Sequence, residues 1–247
     1  MKTILITGAS RGIGRSASIL AGKRGWSVGV NYAGNAEAAG ETAEAVRQAG
    51  GKAVTIKGDV TVEADVIAMF DKAEKELGPL DGVVINAGIL GSSMKLADMD
   101  MDRIRRVFEV NTLGAYMTAR EAARRMPKSK GGKGGSIVIV SSIASRLGGA
   151  GEAIDYAGSK GAVDSLTIGL AKELGPDGVR VNAIRPGLID TDIQACTGTP
   201  DRAQKLGLTT PLGRHGEPDE IGEAIIWMLS DAASYMTGAI FDVSGGR

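Results

Sequence analysis

Thr3-Ile4-Leu5-Ile6-Thr7-Gly8-Ala9-Ser10-Arg11-Gly12-Ile13-Gly14 is the stretch that decides the fold. A short run of β-branched and apolar residues leads into glycines spaced G-x-x-x-G-x-G. After them Ile13, Ala17, Leu20 and Ala21 recur at helical spacing. The pattern is strand, tight turn, helix. Glycines at such a turn let the main chain bend sharply and approach a pyrophosphate, which the helix N-terminus then stabilises. The spacing is not the G-x-G-x-x-G of the best-known dinucleotide fingerprint, and no G-K-[ST] is present, which disfavours a P-loop nucleotide hydrolase. A Gly-rich turn alone fits any tight strand-to-helix connection. The rest of the chain gives this one its meaning. Strand-like runs occupy residues 3–7, 26–31, 53–56, 82–85, 136–140, 179–184 and 239–243, with stretches of helical spacing between them. Ala39, Ala43, Val46 and Ala49 mark one; Val66, Met69, Phe70, Ala73 and Leu77 another. Ile104, Val107, Phe108 and Leu113 open a fourth, Val163, Leu166 and Leu170 line a fifth, and Ile221, Ala224, Ile225 and Met228 the last. Strands alternating with helices predict an α/β domain with a doubly wound parallel sheet of about seven strands, helices on both faces and right-handed crossovers. Continuous apolar strands are what a sheet covered on both faces requires.

The alternation runs through residues 1–247 without a clear linker, so one domain is expected. The Gly/Lys-rich stretch 128–135 reads as a loop inside the series. The long segment 190–218 has no firm periodicity and follows a strand, which suits a lid over a ligand site. Lys and Arg total 29 against 29 Asp and Glu, so the formal net charge is zero, without the basic footprint of a nucleic-acid binder. One cysteine, Cys196, and one histidine, His215, exclude a disulfide framework and a multi-thiolate or His-rich metal site, so no metal is expected. No apolar run approaches the roughly 20 residues that span a bilayer. A cytoplasmic protein without membrane association is expected.

Tyr156-Ala157-Gly158-Ser159-Lys160 places a phenol and an ammonium at i and i+4, on one face of a helix. The lysine would favour phenolate and lower the tyrosine pKa towards neutrality, where it can act as acid or base. Upstream, Val140-Ser141-Ser142 ends a strand and carries hydroxyls to the carboxyl edge of the sheet, where ligands of such folds bind. A hydrolase triad of Ser142, His215 and an aspartate lacks the G-x-S-x-G elbow, and Cys196 reads as a bystander thiol.

Together these residues resemble the short-chain dehydrogenase/reductase family over essentially the whole chain. The resemblance rests on the turn at 7–14, Asp59-Val60, Asn86-Ala87-Gly88, Asn111, Ser142, the Tyr156–Lys160 pair, and Arg185-Pro186-Gly187 with Thr191. It implies a Rossmann fold and hydride transfer between a nicotinamide cofactor and a small-molecule carbonyl or alcohol substrate. Tyr156 would be the general acid and base, Lys160 would lower its pKa and hold the nicotinamide ribose, and Ser142 would stabilise the substrate oxygen. Asn111 would anchor a water linking Lys160 to solvent. Gly8, Ser10, Arg11, Gly12, Ile13 and Gly14 would bind the dinucleotide, Asp59 and Val60 the adenine, and Asn86 and Gly88 the adjacent ribose. Pro186, Gly187, Ile189 and Thr191 would lie at the nicotinamide end. Ser142 stands fourteen residues before Tyr156, one more than is usual in the family, so either Ser141 or Ser142 faces the substrate. Ser142 is favoured, because Ser141 completes the strand.

The second strand ends without an acid at Asn31-Tyr32-Ala33, and Arg11 stands where the family's NADP-preferring members carry a basic residue. NADP(H) is therefore expected over NAD(H), with Asn31 beside the ribose and NAD(H) left open. The resemblance also implies a homotetramer, built partly on the helices near 101–126 and 156–174. The sugar-dehydrogenase-like and carbonyl-reductase branches match best. The alternative within the family is a 3-oxoacyl-carrier-protein reductase of fatty-acid synthesis, for which Arg124, Arg125, Lys128, Lys130 and Lys133 would meet an acidic carrier protein. A basic run near a helix end is otherwise a solvated face. The alternative of another class is an inactive dinucleotide-sensing regulator, against which the full Asn111, Ser142, Tyr156 and Lys160 set argues.

Overall fold

The computed structural model describes residues 1–193, 198–199 and 201–247, and among them seven parallel strands form one sheet. They are β1 (Thr3–Ile6), β2 (Ser27–Tyr32), β3 (Lys52–Lys57), β4 (Gly82–Ile85), β5 (Gly135–Val140), β6 (Val179–Pro186) and β7 (Ile240–Val243). Their spatial order is β3-β2-β1-β4-β5-β6-β7. The chain winds one way from β1 and then returns to place β4 on its other side. The crevice at that reversal, beyond the carboxyl ends of β1 and β4, is where such sheets hold ligands.

Period-two side chains divide the core. Leu5, Val83, Ile137 and Ile139 face one side, packed with Met69, Phe70, Ala119, Val163 and Leu170 from α3 (Glu63–Leu77), α5 (Gly114–Arg125) and α7 (Ile154–Leu174). Ile4, Ile6, Val84 and Val138 face the other, against Ala17, Leu20, Val46, Ile221 and Ile225. Those belong to α1 (Gly12–Lys23), α2 (Ala36–Gln48) and α9 (Pro218–Leu229). Phe70 and Met69 are fully buried, and truncating such a phenylalanine to alanine typically costs about 3–5 kcal/mol. Local signals set the ends: Asn35 accepts from the Ala38 amide to cap α2, and Glu217 and Glu220 form a capping box before α9.

The fourth helical stretch departs from its expected register. α4 (Met101–Phe108) passes through a π-helical turn, Glu109–Leu113, into α5. The wider turn inserts one extra residue after Phe108, and Leu113 reaches the surface; ahead of it Val107 is buried and Phe108 is partly exposed. The same turn carries Asn111 inward. Such bulges recur at functional sites. The stretch 128–135 is a loop with one short turn before β5. Within 190–218, α8 (Arg202–Gly207) buries Ala203 and Gly207, and the Asp190 amide is tied to the Gly216 carbonyl. Cys196 lies outside the described residues. α6 (Ala144–Leu147) completes the helices, and among the described residues none is long and apolar enough to cross a membrane.

Candidate active site

The glycine turn is clamped from two neighbouring strands. Asn86, just past β4, donates its side-chain amide to the carbonyls of Thr7 and Gly8 at 2.8 and 3.0 Å. The Thr7 hydroxyl accepts from the main-chain amides of Asn86 and Ala87. Gly8 has φ +62°, which an L side chain resists. A Cβ on Gly14 would lie 2.6 Å from the Gly8 carbonyl oxygen and from Asn86 Nδ2, so the helix start can approach the strand end only with glycine there. The first amides of α1 lack helical partners and form an anion-seeking terminus.

A cavity of about 410 Å³ opens over this turn. Gly8, Ser10, Arg11, Gly12 and Ile13 line one side, and Asp59, Val60, Asn86, Gly88 and Thr191 the other. Gly14 is buried beneath it. Asn31 also lines the cavity, but its amide is turned inward. Its oxygen accepts from the Gly8 amide, and its nitrogen donates to the carbonyls of Ile56 and Gly58. The side chain therefore holds the turn rather than reaching for a ribose. Asp59 Oδ1 accepts from the Thr61 amide and hydroxyl, and the Thr61 amide holds the carboxyl below its ordinary range. Arg106 adds a smaller pull and lines the same cavity, a contribution that no motif signalled.

A second hollow of about 130 Å³ shares Ile13, Asn86, Gly88 and Thr191 with the first. Ser142, Tyr156, Lys160, Pro186, Gly187 and Ile189 line it. The two serines differ in their partners. Ser141 Oγ donates to the Lys160 carbonyl at 3.2 Å, inside the fold. Ser142 Oγ accepts from the Ala144 amide at 3.1 Å and lines the hollow beside Tyr156. Burial pushes Tyr156 above the ordinary phenol range, opposed by Ser142 and the charge of Arg202. This is opposite to the expected lowering. The Lys160 ammonium lies 5.7 Å from the phenol ring centre and donates to the Val140 carbonyl at 2.8 Å. Burial pulls Lys160 down to about 8, opposed by the Asp164 carboxylate. Asn111 donates to the Ile89 carbonyl and to Ser159 Oγ, and its Oδ1 accepts from the Ile89 amide. A Cβ on Gly88 would meet both Asn111 Oδ1 and Lys160 Nζ, at 3.3 and 3.5 Å.

The turn before Tyr156 is held by a pair that pattern reading missed. Arg103 on α4 pairs with Asp155 at 2.9 Å and donates to the Ser92 carbonyl, while Asp155 Oδ1 accepts from the Tyr156 amide. No local signal could have found it, because the partners lie fifty-two residues apart.

The comparisons with known proteins agree with this geometry. Residues 8–247 match the family described as enoyl-(acyl carrier protein) reductase. The chain is 45% identical to the uncharacterised oxidoreductase YgfF of Escherichia coli (strain K12), covering 100% of both chains. It is 39% identical to an L-rhamnose 1-dehydrogenase (NAD(P)(+)) of Sphingomonas sp. (strain SKA58), covering 99% of this chain and 95% of that one. A short-chain type dehydrogenase/reductase from Mycobacterium marinum superposes with a TM-score of 0.92 at 36% identity, over 99% and 94% of the two chains. This chain belongs to the short-chain dehydrogenase/reductase family. As a short-chain dehydrogenase/reductase it is an oxidoreductase of alcohols and carbonyls that uses a nicotinamide dinucleotide. The residues present fit that group: an open helix N-terminus, a main chain cleared of side chains at Gly14, and polar groups along the far wall. Among the described residues no cluster of His, Cys, Asp or Glu could hold a metal ion. His215 faces Glu217 at 3.6 Å and lines a separate hollow from Ser142.

Proposed function

We propose that this chain reduces a small ketone or aldehyde to its alcohol, and runs the reverse reaction, with NADP(H) preferred and Tyr156 as the general acid and base. One observation carries the reading: Ser142, Tyr156 and Lys160 line one hollow continuous with the dinucleotide cavity, where burial favours the protonated phenol. The cofactor supplies the hydride, or accepts it in the reverse direction. Ser142 and Tyr156 then converge on the substrate oxygen. Both donate to the charge that develops there, and Tyr156 gives up its proton. Lys160, held by Val140, places its ammonium beside the phenol and the ribose position. Asn111 has both amide hydrogens committed, so its remaining Oδ1 lone pair, near Lys160 across Gly88, is the acceptor left for a relay water.

Two details weigh against an acyl-carrier substrate. Arg125 is turned inward onto Asp71, Glu74 and Glu121, over the Phe70 ring, so the basic run is smaller than the sequence suggests. The loop before β6 carries Asp177 rather than a basic residue. The test is NADPH oxidation over a panel of ketones and aldehydes, and NADP+ reduction with aldoses, L-rhamnose included because of the relative named above. Tyr156→Phe should bind cofactor normally and lose at least about 10²-fold in turnover. Near-normal turnover in that variant refutes the assignment.

A further inference from the structure

On α7, Tyr156, Lys160 and Asp164 follow one another at intervals of four residues, so they lie along one face of the helix. Lys160 and Asp164 are both buried. Two buried, oppositely charged groups one turn apart feel each other's field. Asp164 is paired on one oxygen only. Arg185 on β6 places both Nε and Nη2 on Oδ2, at 3.0 and 2.8 Å, while the buried Oδ1 has no hydrogen-bond donor among the described residues. Arg185 in turn reaches Asp242 on β7, and Asp242 is bonded by Arg146 on α6, at the surface. Signs therefore alternate from the site outward: Lys160, Asp164, Arg185, Asp242, Arg146.

We propose that Asp164 is a positioning residue whose carboxylate keeps the Lys160 ammonium charged, and that the ladder Arg185–Asp242–Arg146 sets how much of its charge reaches that lysine. The inference rests on the catalytic reading above and gives Lys160 the anionic partner that reading lacks. Among the described residues the other groups around Lys160 do not supply one. β5 offers the neutral Val140 carbonyl, and the π-helical turn offers the neutral Asn111 amide. Tyr156 is held protonated by burial. Asp155 is engaged by Arg103, and Glu152 by Arg202. Asp164 is the carboxylate that opposes the burial of Lys160. An opposite charge close to a buried group typically moves it by about one pH unit or more.

The experiment follows Lys160 directly. Protein labelled with 13C-lysine is titrated by NMR, the Lys160 signal being assigned by its loss in Lys160→Met. Asp164→Asn should lower its midpoint by about one pH unit, a tenfold change in the dissociation constant. Asp164→Glu should restore most of it. Arg185→Gln, which uncovers Asp164, should raise the midpoint, and Asp242→Asn should lower it by less than Asp164→Asn does. The alkaline limb of kcat/KM for carbonyl reduction should move with the midpoint, whereas loose packing would lower the whole profile without displacing it. A midpoint unmoved in Asp164→Asn overturns the proposal. Should that variant fail to fold, unmoved midpoints in Asp242→Asn and Arg185→Gln overturn it equally. A midpoint that shifts without the kinetic limb supports the Asp164 coupling and refutes the catalytic reading of Lys160.

Discussion

Replacing Arg11 by alanine should remove most of the preference for NADPH over NADH and leave the use of NADH nearly unchanged. Arg11 is the N-cap of α1, is exposed, lines the dinucleotide cavity, and pairs with no carboxylate among the described residues. Its guanidinium is free to take an added phosphate. Nothing at the end of β2 competes for a ribose diol. The Asn31 amide is spent on Gly8, Ile56 and Gly58, and Asn35 Oδ1 caps α2. A hydrogen bond to a charged group contributes about 1.5–3 kcal/mol, or roughly tenfold to a hundredfold at 1.4 kcal/mol per decade. Because the arginine is exposed, solvent and salt screen the contact, and the lower end, about tenfold in kcat/KM, is expected. The assay compares kcat/KM for both cofactors in the unaltered protein, Arg11→Ala and Arg11→Lys, at low and high salt. The margin should narrow with salt in the unaltered protein, persist in part in Arg11→Lys, and fall to a small remainder in Arg11→Ala. Equal or better use of NADH by the unaltered protein would refute the reasoning, and so would a margin that survives Arg11→Ala undiminished.

Three further outcomes can be checked. Lys160→Met should be inactive yet more stable at pH 7. The fall from the ordinary value of 10.5 to about 8 corresponds to about 3 kcal/mol of native-state cost, and the lost hydrogen bond to Val140 offsets about 1. In urea unfolding the gain should be full below about pH 8 and shrink as pH rises from there towards 10.5. In that interval the unfolded chain binds the proton that the native chain has released. Gly14→Ala forces a Cβ to within 2.6 Å of the Gly8 carbonyl oxygen. It should weaken NADPH binding at least tenfold by fluorescence titration and lower stability by about 1–3 kcal/mol. Phe108, Leu113, Tyr116 and Ile168 leave an apolar surface on α4, the π-helical turn, α5 and α7, which suits the homotetramer that the family implies. Light scattering at micromolar concentration should give four subunits, and a monomer would remove that expectation.

The strands and the layering were legible because both rest on period and composition, which a packed sheet enforces along every strand. Each of the seven apolar runs is a strand, displaced by at most two residues at an end. The fourth helix shows the limit. Ile104, Val107, Phe108 and Leu113 read as one face, but the π-helical turn at Glu109–Leu113 resets the register beyond Phe108, and Leu113 emerges on the surface. Nothing local announces that turn. Its rationale is tertiary: it brings the Asn111 amide to the Ile89 main chain and to Ser159, twenty-two and forty-eight residues away. Arg125 is a similar case. Beside Lys128 and Lys130 it reads as solvated charge, but three carboxylates from two helices draw it inward.

Most of the candidate residues that the sequence singled out meet in two adjoining hollows, but their electrostatics were not legible. Tyr and Lys at i and i+4 argue for a depressed phenol when the two are considered alone. In the fold the ammonium donates to Val140, and burial acts on both groups, raising the tyrosine and lowering the lysine. Burial disfavours whichever form is charged, so a pair taken out of water together tends towards neutral phenol and neutral amine. That tendency is opposed on the phenol by Ser142, which the motif includes, and by Arg202, which it does not, and on the ammonium by Asp164, equally outside any motif. The outcome has a direction. A phenol held protonated at neutral pH is ready to give a proton to a carbonyl under reduction. Alcohol oxidation first requires the phenol to lose that proton, so it is favoured as pH rises. On the proposed mechanism, alcohol oxidation should therefore gain with rising pH while carbonyl reduction declines, which pH profiles of the two directions check.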